Sequence, residues 1–234
     1  MKLCFFITDY HGSIAKYEKL FAEIEKDEPK AVFIGGDILP FRGRISSKHE
    51  PGFNDFIRDY LGPKFAAIRD KNHYKKPDIF IIFGNDDPRI FESSAIEAER
   101  AHVWHYIHER KISFGEYDIY GYSFVPPSPF MLKDWEKYDV SRYVDPGCSH
   151  PHEGTRSVDI LKRDMIFSTI KTDLQDLTDK ADLSKSVFLF HAPPHDTHLD
   201  HSELEGETFD HVPVDPHLGS IAIKRFIKKR QPYL

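Results

Sequence analysis

Four short apolar segments of the chain each end beside a side chain that can bind a metal ion. The segments and the residues after them are Leu3–Ile7 with Asp9 and His11, Ala31–Ile34 with Asp37, Ile79–Phe83 with Asn85, and Val187–Phe190 with His191. Short continuous apolar runs are typical of buried strands in a largely parallel sheet, and open α/β sheets bind ligands beyond the carboxyl ends of their strands. The four segments therefore predict one site.

The donor atoms in this set favour a divalent transition metal. Aspartate and asparagine supply oxygen and histidine supplies imidazole nitrogen, and a carboxylate such as that of Asp37 can bridge two ions. The expected chemistry is metal-assisted hydrolysis. A single Asp or Asn at a strand end more often caps the next turn, so the prediction depends on the ordered set and not on any one member.

The same residues resemble a known enzyme family. The pattern Asp-x-His, Gly-Asp, Gly-Asn-His-Asp/Glu, a lone His after a strand and Gly-His-x-His is that of the calcineurin-like metallophosphoesterases. The matching blocks here are Asp9-Tyr10-His11, Gly36-Asp37, Gly84-Asn85-Asp86-Asp87 and His191, and they span most of the chain. The resemblance implies an α/β fold, a four-layer αββα sandwich of two mixed sheets with helices outside, as one domain over residues 1–234.

The resemblance also implies a function and a ligand set. Two divalent metal ions (Mn²⁺, Fe or Zn²⁺) are the expected cofactors, with Asp9, His11 and Asp37 at the first ion and Asp37, Asn85 and His191 at the second. The implied reaction is hydrolysis of a small phosphate ester, a diester by preference, by a hydroxide that bridges the two metals. Asn85 and Asp86 are the candidate catalytic residues.

Two departures from the family pattern open an alternative. Asp86 stands where the family usually has a His that helps to protonate or orient the phosphate, and no Gly-His-x-His follows His191. We interpret the chain as lacking its final strands and ligands, with Arg230–Leu234 as a helix end followed by the opening of a strand. We therefore expect little turnover from this chain. The alternative is an inactive fragment or pseudoenzyme that binds metal or phosphate, unless His195 or His198 replaces the missing ligands.

Length and composition predict a cytoplasmic protein with one α/β core. The chain has 234 residues, a net charge of −6 and two cysteines. This balance provides no general basic field for nucleic acid or anionic membranes, and no apolar run approaches the roughly 20 residues of a membrane span. Cys4, in a predicted buried strand, and Cys148 are expected to be free thiols.

Periodic apolar residues and turn signals predict the remaining elements. Four helices are expected, over Ser13–Lys26, within Phe53–Arg69, over Val158–Leu177 and over Leu218–Lys229. The second of them should break or kink at Gly62-Pro63. A hairpin is expected to turn at Gly115-Glu116. The irregular, lid-like segment 125–155 is expected to be ordered because it is rich in aromatic residues. Its residues Lys133, Asp134 and Trp135 either contact substrate or pack as a rim loop.

The last predicted helix carries a run of basic residues. They are Lys224, Arg225, Lys228, Lys229 and Arg230. Such a run suits nucleic acid, yet it also describes the solvent-exposed face of an ordinary helix. The solvated face is the preferred interpretation.

Overall fold

The computed structural model describes residues 3–40, 52–71, 77–200, 208–209, 212–213 and 217–234. The chain forms two compact units, with the boundary between Ile107 and His108. Each unit contains one larger sheet and several helices, so the chain has an α/β fold with a parallel sheet and a mixed sheet. Among the described residues, no helix is both long and apolar enough to cross a bilayer.

The sheet of the first unit is entirely parallel within the described residues. Its strands are β1 (Cys4–Ile7), β2 (Ala31–Ile34), β3 (Asp78–Ile81) and β4 (His105–Tyr106), and they lie side by side in sequence order. Helical crossovers return the chain in the same direction each time, as parallel pairing requires. The expectation of two mixed sheets is therefore wrong for this sheet.

Three helical segments connect these strands. They are α1 (Ile14–Asp27), a π-helical turn (Ile57–Leu61) that continues into α2 (Gly62–Lys71), and a short 3₁₀ turn (Arg89–Phe91) that continues into α3 (Glu92–Arg100). The predicted break at Gly62-Pro63 is a change of helix type: the Gly62 N–H donates to the Ile57 carbonyl, and a Cβ on Gly62 would lie 2.9 Å from that oxygen. Glycine suits this position because it has no Cβ to meet that carbonyl oxygen.

The core of the first unit is built from the inner strands. Val32, Ile34, Ile79 and Ile81 are fully buried. Strand β1 lies at the edge of the described sheet, where 61% of Phe6 is exposed and Cys4 is also exposed. The expectation of a buried Cys4 is wrong because an edge strand has a neighbour on one side only. Both cysteines are free thiols, as predicted.

The second unit contains a mixed sheet. Its strands are β5 (Arg110–Phe114), β6 (Tyr117–Tyr122) and β7 (Ser186–Phe190). Strands β5 and β6 form the predicted antiparallel hairpin, with Gly115 at φ +63°, and β7 lies parallel to β6. The Leu234 N–H donates to the Ser186 carbonyl of β7 and the Leu234 carbonyl accepts from the Phe188 N–H, but residues 231–234 form no assigned strand, so the strand expected there stays a prediction. The two-residue strands β8 (Thr208–Phe209) and β9 (Val212–Pro213) form a separate antiparallel pair.

The predicted helix over Val158–Leu177 is two helices, α4 (Lys162–Phe167) and α5 (Ile170–Thr178). Ser168 has an extended backbone, and the Thr169 side chain accepts a hydrogen bond from the Thr172 N–H in a capping box that starts α5. The last helix, α6 (Ile221–Arg230), begins where the Ser220 side chain accepts from the Ile223 N–H. Side-chain N-caps therefore determine where α5 and α6 begin.

The irregular segment 125–155 is held by buried polar contacts. Lys133, Asp134 and Trp135 are fully buried. The Lys133 ammonium donates to the Ser128 carbonyl at 2.8 Å and to Glu136 at 2.7 Å, and Asp134 accepts from the Ser157 backbone at 2.9 Å. The packed-loop interpretation therefore holds, and these three side chains are not available to a substrate in this conformation.

Candidate metal centre

The loops after β1 and β2 run side by side. The backbone N–H groups of Asp9, His11 and Gly12 donate to the carbonyls of Gly36, Asp37 and Ile38 at 3.1, 2.8 and 3.0 Å. These bonds continue the contact of the two strands beyond their carboxyl ends. They bring side chains from two separate sequence blocks to one place.

Asp9, His11 and Asp37 form a candidate metal-binding group at this place. One ligand atom from each residue lies within 4.8 Å of the other two. His11 Nε2 is 4.0 Å from Asp9 Oδ1 and 4.0 Å from Asp37 Oδ2. Asp37 is 4% exposed, whereas Asp9 and His11 are open to solvent. Two carboxylates and an imidazole at this spacing fit a divalent transition metal ion.

The backbone at the three positions is unusual. Asp9, His11 and Asp37 have φ angles of +59°, +45° and +52°, in the left-handed region that non-glycine residues seldom adopt. Such conformations cost about 1–3 kcal/mol each and concentrate at functional sites. Gly12, at φ +70°, is required for space as well, because a Cβ there would lie 2.4 Å from Pro40 Cγ. The surrounding hydrogen bonds hold all three loop residues in place.

The loop after β3 brings a third carboxylate, that of Asp86, to this group. The Asp86 N–H donates to Asp37 Oδ1 at 2.8 Å, and Asp86 Oδ2 lies 3.7 Å from His11 Nδ1. The side-chain amide of Asn85 donates to Asp86 Oδ1 at 2.9 Å. This contact uses the Asn85 nitrogen, and the oxygen is the atom that this residue would offer to a metal. The structure thus brings Asp86 to the group and places Asn85 beside it.

Asp87 is a residue whose role the sequence did not reveal. It is fully buried, and its carboxylate accepts from the N–H groups of Ile38, Leu39 and Gly84 at 2.9, 2.8 and 2.9 Å. The side chain ties the loop after β2 to the loop after β3. The tendency of Asp to accept from nearby backbone N–H groups was the available signal.

His191 lies in the second unit, directly after β7, and is half-buried. Its N–H donates to the Tyr122 carbonyl at 3.3 Å. Three of the four predicted segments lie in the parallel sheet, and the fourth, β7, lies in the mixed sheet. The assignment of His191 to the metal site stays a prediction.

Five further histidines, at positions 195, 198, 201, 211 and 217, follow His191 in the sequence. His195 Nδ1 lies 3.8 Å from the buried carboxylate of Asp200, and His217 Nδ1 donates to the Asp200 carbonyl at 2.5 Å. His198 is exposed. His201 and His211 lie outside the described residues. The replacement of missing ligands by His195 or His198 stays a prediction.

No protein-family model matches the chain, and no curated protein matches it. Several solved structures are similar to the chain. The crystal structure of TT1561 of Thermus thermophilus has a TM-score of 0.55 and 16% identity, over 99% of this chain and 78% of that one. Another crystal structure has a TM-score of 0.50 and 18% identity, over 98% of this chain and 80% of that one. At these identities the similarity establishes the fold alone: α/β, with a parallel sheet and a mixed sheet.

Proposed function

We propose that this protein hydrolyses a phosphate ester, with diesters preferred, in a reaction that requires divalent metal ions. The observation that carries the proposal is the convergence of Asp9, His11 and Asp37 within 4.8 Å at the ends of β1 and β2. A buried carboxylate beside an exposed imidazole and an exposed carboxylate is a suitable set of donors for such an ion. The ordered motif that resembles the calcineurin-like metallophosphoesterases supports the same conclusion.

The residues divide into two ligand sets. Asp9, His11 and Asp37 would hold one ion, and Asp37, Asn85 and His191 would hold a second ion, as the resemblance implies. Bound divalent ions supply Lewis-acid stabilisation of charge on phosphate oxygens and lower the pKa of water. The four-layer αββα sandwich and a cytoplasmic location belong to the same proposal.

Asp86 orients His11 in this account. Its carboxylate is 3.7 Å from His11 Nδ1, and a carboxylate on that side of the ring favours the tautomer with a proton on Nδ1. Nε2 is then left as the metal-binding atom. An Asp86 in this role is not a proton donor to the leaving group. We therefore expect aryl diesters, whose leaving groups need no acid, to be the best substrates.

A second candidate function is binding of metal without turnover. Three carboxylates, those of Asp9, Asp37 and Asp86, surround the single imidazole of His11 within 4.0 Å. This concentration of negative charge attracts a cation but opposes the approach of a phosphate ester unless the bound ions offset it. This concentration of charge is the observation that supports the second candidate.

Hydrolysis of bis-p-nitrophenyl phosphate with Mn²⁺ or with EDTA distinguishes the two candidates. The matched variants are Asp37→Asn and Asp78→Asn, the latter at the opposite end of the same sheet. Turnover that needs Mn²⁺, survives Asp78→Asn and is lost in Asp37→Asn supports hydrolysis. Mn²⁺ binding without turnover supports the second candidate, and an absence of Mn²⁺ binding contradicts both.

A further inference from the structure

Helices α5 and α6 of the second unit border a cavity of about 250 Å³ that the proposed function does not use. Its floor is apolar and consists of Leu174, Ala222 and Phe226, which are all buried. Val140 adds a further apolar wall. A small cavity with such a floor accommodates a short apolar group and removes it from water.

The mouth of the cavity is basic. Lys171, Arg225 and Lys229 line it and are exposed. Within the described part of the chain, none of their side chains makes a hydrogen bond or an ion pair. Arg230 differs, because its guanidinium donates to Thr178 Oγ1 and to the carbonyls of Asp179 and Ala181. Three cations that have no partner among the described residues therefore surround an apolar floor.

Helix capping explains only some of these charges. Lys229 lies in the last turn of α6, where the helix dipole favours a cation. Lys171 is the second residue of α5, where the dipole disfavours a cation. Lys224, on the same helix as Arg225 and Lys229, pairs with Asp196 at 3.1 Å and does not line the cavity. The position of Lys171 thus needs another explanation, and a bound anion supplies one.

We propose that this cavity binds a small amphiphilic anion with a short apolar body and one carboxylate or phosphate head group. The apolar body contacts Leu174 and Phe226, while the head group lies at the mouth between Arg225, Lys229 and Lys171. Arginine holds carboxylate and phosphate with two parallel hydrogen bonds, and such charge-assisted bonds are stronger than neutral ones. The site is independent of the candidate metal centre and of the proposed hydrolysis.

The probe for this site is octanoate, titrated into the intact chain and followed by calorimetry and by NMR shifts of Leu174 and Phe226. Octylammonium has a similar apolar body with the opposite charge, and acetate has the head group alone. We expect octanoate to bind in a saturable manner, acetate to bind at least about tenfold more weakly, and octylammonium not to shift these signals. Equal binding of octanoate and octylammonium would overturn the proposal.

Matched variants separate this site from general attraction to a basic surface. Replacing both Arg225 and Lys229 by Gln should weaken octanoate binding about tenfold or more, whereas Lys228→Gln, on the same helix but outside the cavity, should leave it unchanged. A similar loss in both would overturn the proposal. The proposal would also be overturned if the chain is a dimer in solution and the Arg225 and Lys229 replacements dissociate it, because a second copy would then occupy this face.

Discussion

The side chain of Asp37 accepts a hydrogen bond of 2.8 Å at Oδ1 from the backbone N–H of Asp86. This bond joins the ends of β2 and β3 and leaves Asp37 Oδ2 facing His11 at 4.0 Å. One oxygen of the Asp37 carboxylate therefore links the two loops, and the other oxygen belongs to the candidate metal-binding group. The site depends on how firmly these loops are held.

Asp87 should contribute strongly to stability. Asp87→Ala would leave the buried N–H groups of Ile38, Leu39 and Gly84 without this acceptor, so we expect the free energy of unfolding to fall by about 3 kcal/mol. The measurement is urea denaturation. Asp59→Ala is the control, because exposed Asp59 accepts from two N–H groups that water can reach. Equal losses in the two variants would contradict the account.

Lys16 should act as a positioning residue for Asp9. Its ammonium donates to the Asp9 carbonyl at 3.0 Å and so supports the left-handed backbone of that residue. Lys16→Met should weaken Mn²⁺ binding by about threefold, a small effect because the bond is exposed, and Lys16→Arg should restore it. Isothermal titration calorimetry measures the change. Lys19→Met on the same helix should bind as the unchanged chain does, and a loss there would argue against a specific role for Lys16.

The buried pair Lys133 and Glu136 should give stability a defined pH dependence. Burial raises the pKa of Glu136 from 4.5 to about 7, against the opposing effects of Lys133 and Ser128. The folded state thus binds this proton more tightly than the unfolded state does. Because stability falls with pH wherever the folded state holds more protons, the contribution of Glu136 is fully present below pH 4.5 and decreases up to about pH 7.

The double variant Lys133→Met, Glu136→Gln removes Glu136 together with its buried partner and tests this dependence. The stability of the unchanged chain relative to the variant should decline between about pH 4.5 and pH 7, as measured by denaturation at each pH. A single variant at Glu136 is unsuitable because it leaves the buried Lys133 charge without its partner. Parallel pH profiles for the two proteins would show that Glu136 does not titrate as described.

The exposed edge of β1 should promote self-association. Phe6 is 61% exposed on this strand, and unpaired strand edges with apolar side chains pair readily with other chains. Phe6→Lys should reduce association in sedimentation velocity experiments. Ile90→Lys, at an exposed apolar residue outside the sheet, is the control. If the control lowers association as much, the edge is not the cause.

The sequence predicted those parts of the fold in which the local residue pattern and the tertiary contacts favour the same structure. The segment Ala31–Ile34 became β2 with unchanged bounds, and Gly115-Glu116 became the hairpin turn. The convergence of Asp9, His11 and Asp37 followed from the rule that neighbouring parallel strands place their carboxyl ends together.

The remaining features depend on contacts that periodicity does not encode. An apolar run such as Val187–Phe190 indicates a strand but not its partner, and β7 pairs with β6 in the mixed sheet. Apolar spacing also continues across Ser168, although α4 ends before this residue and α5 begins after the Thr169 cap. The role of Asp87 requires three backbone groups from two loops, which only the folded chain brings together.

The most direct test of the central claim is Mn²⁺ binding by the unchanged chain, by Asp37→Asn and by Asp78→Asn, measured by calorimetry and by native mass spectrometry. Asp37 belongs to the candidate metal-binding group, whereas Asp78 lies at the other end of the same sheet. We expect the unchanged chain and Asp78→Asn to bind Mn²⁺ alike and Asp37→Asn to lose most of this binding. Unchanged metal stoichiometry and affinity in Asp37→Asn would contradict this claim.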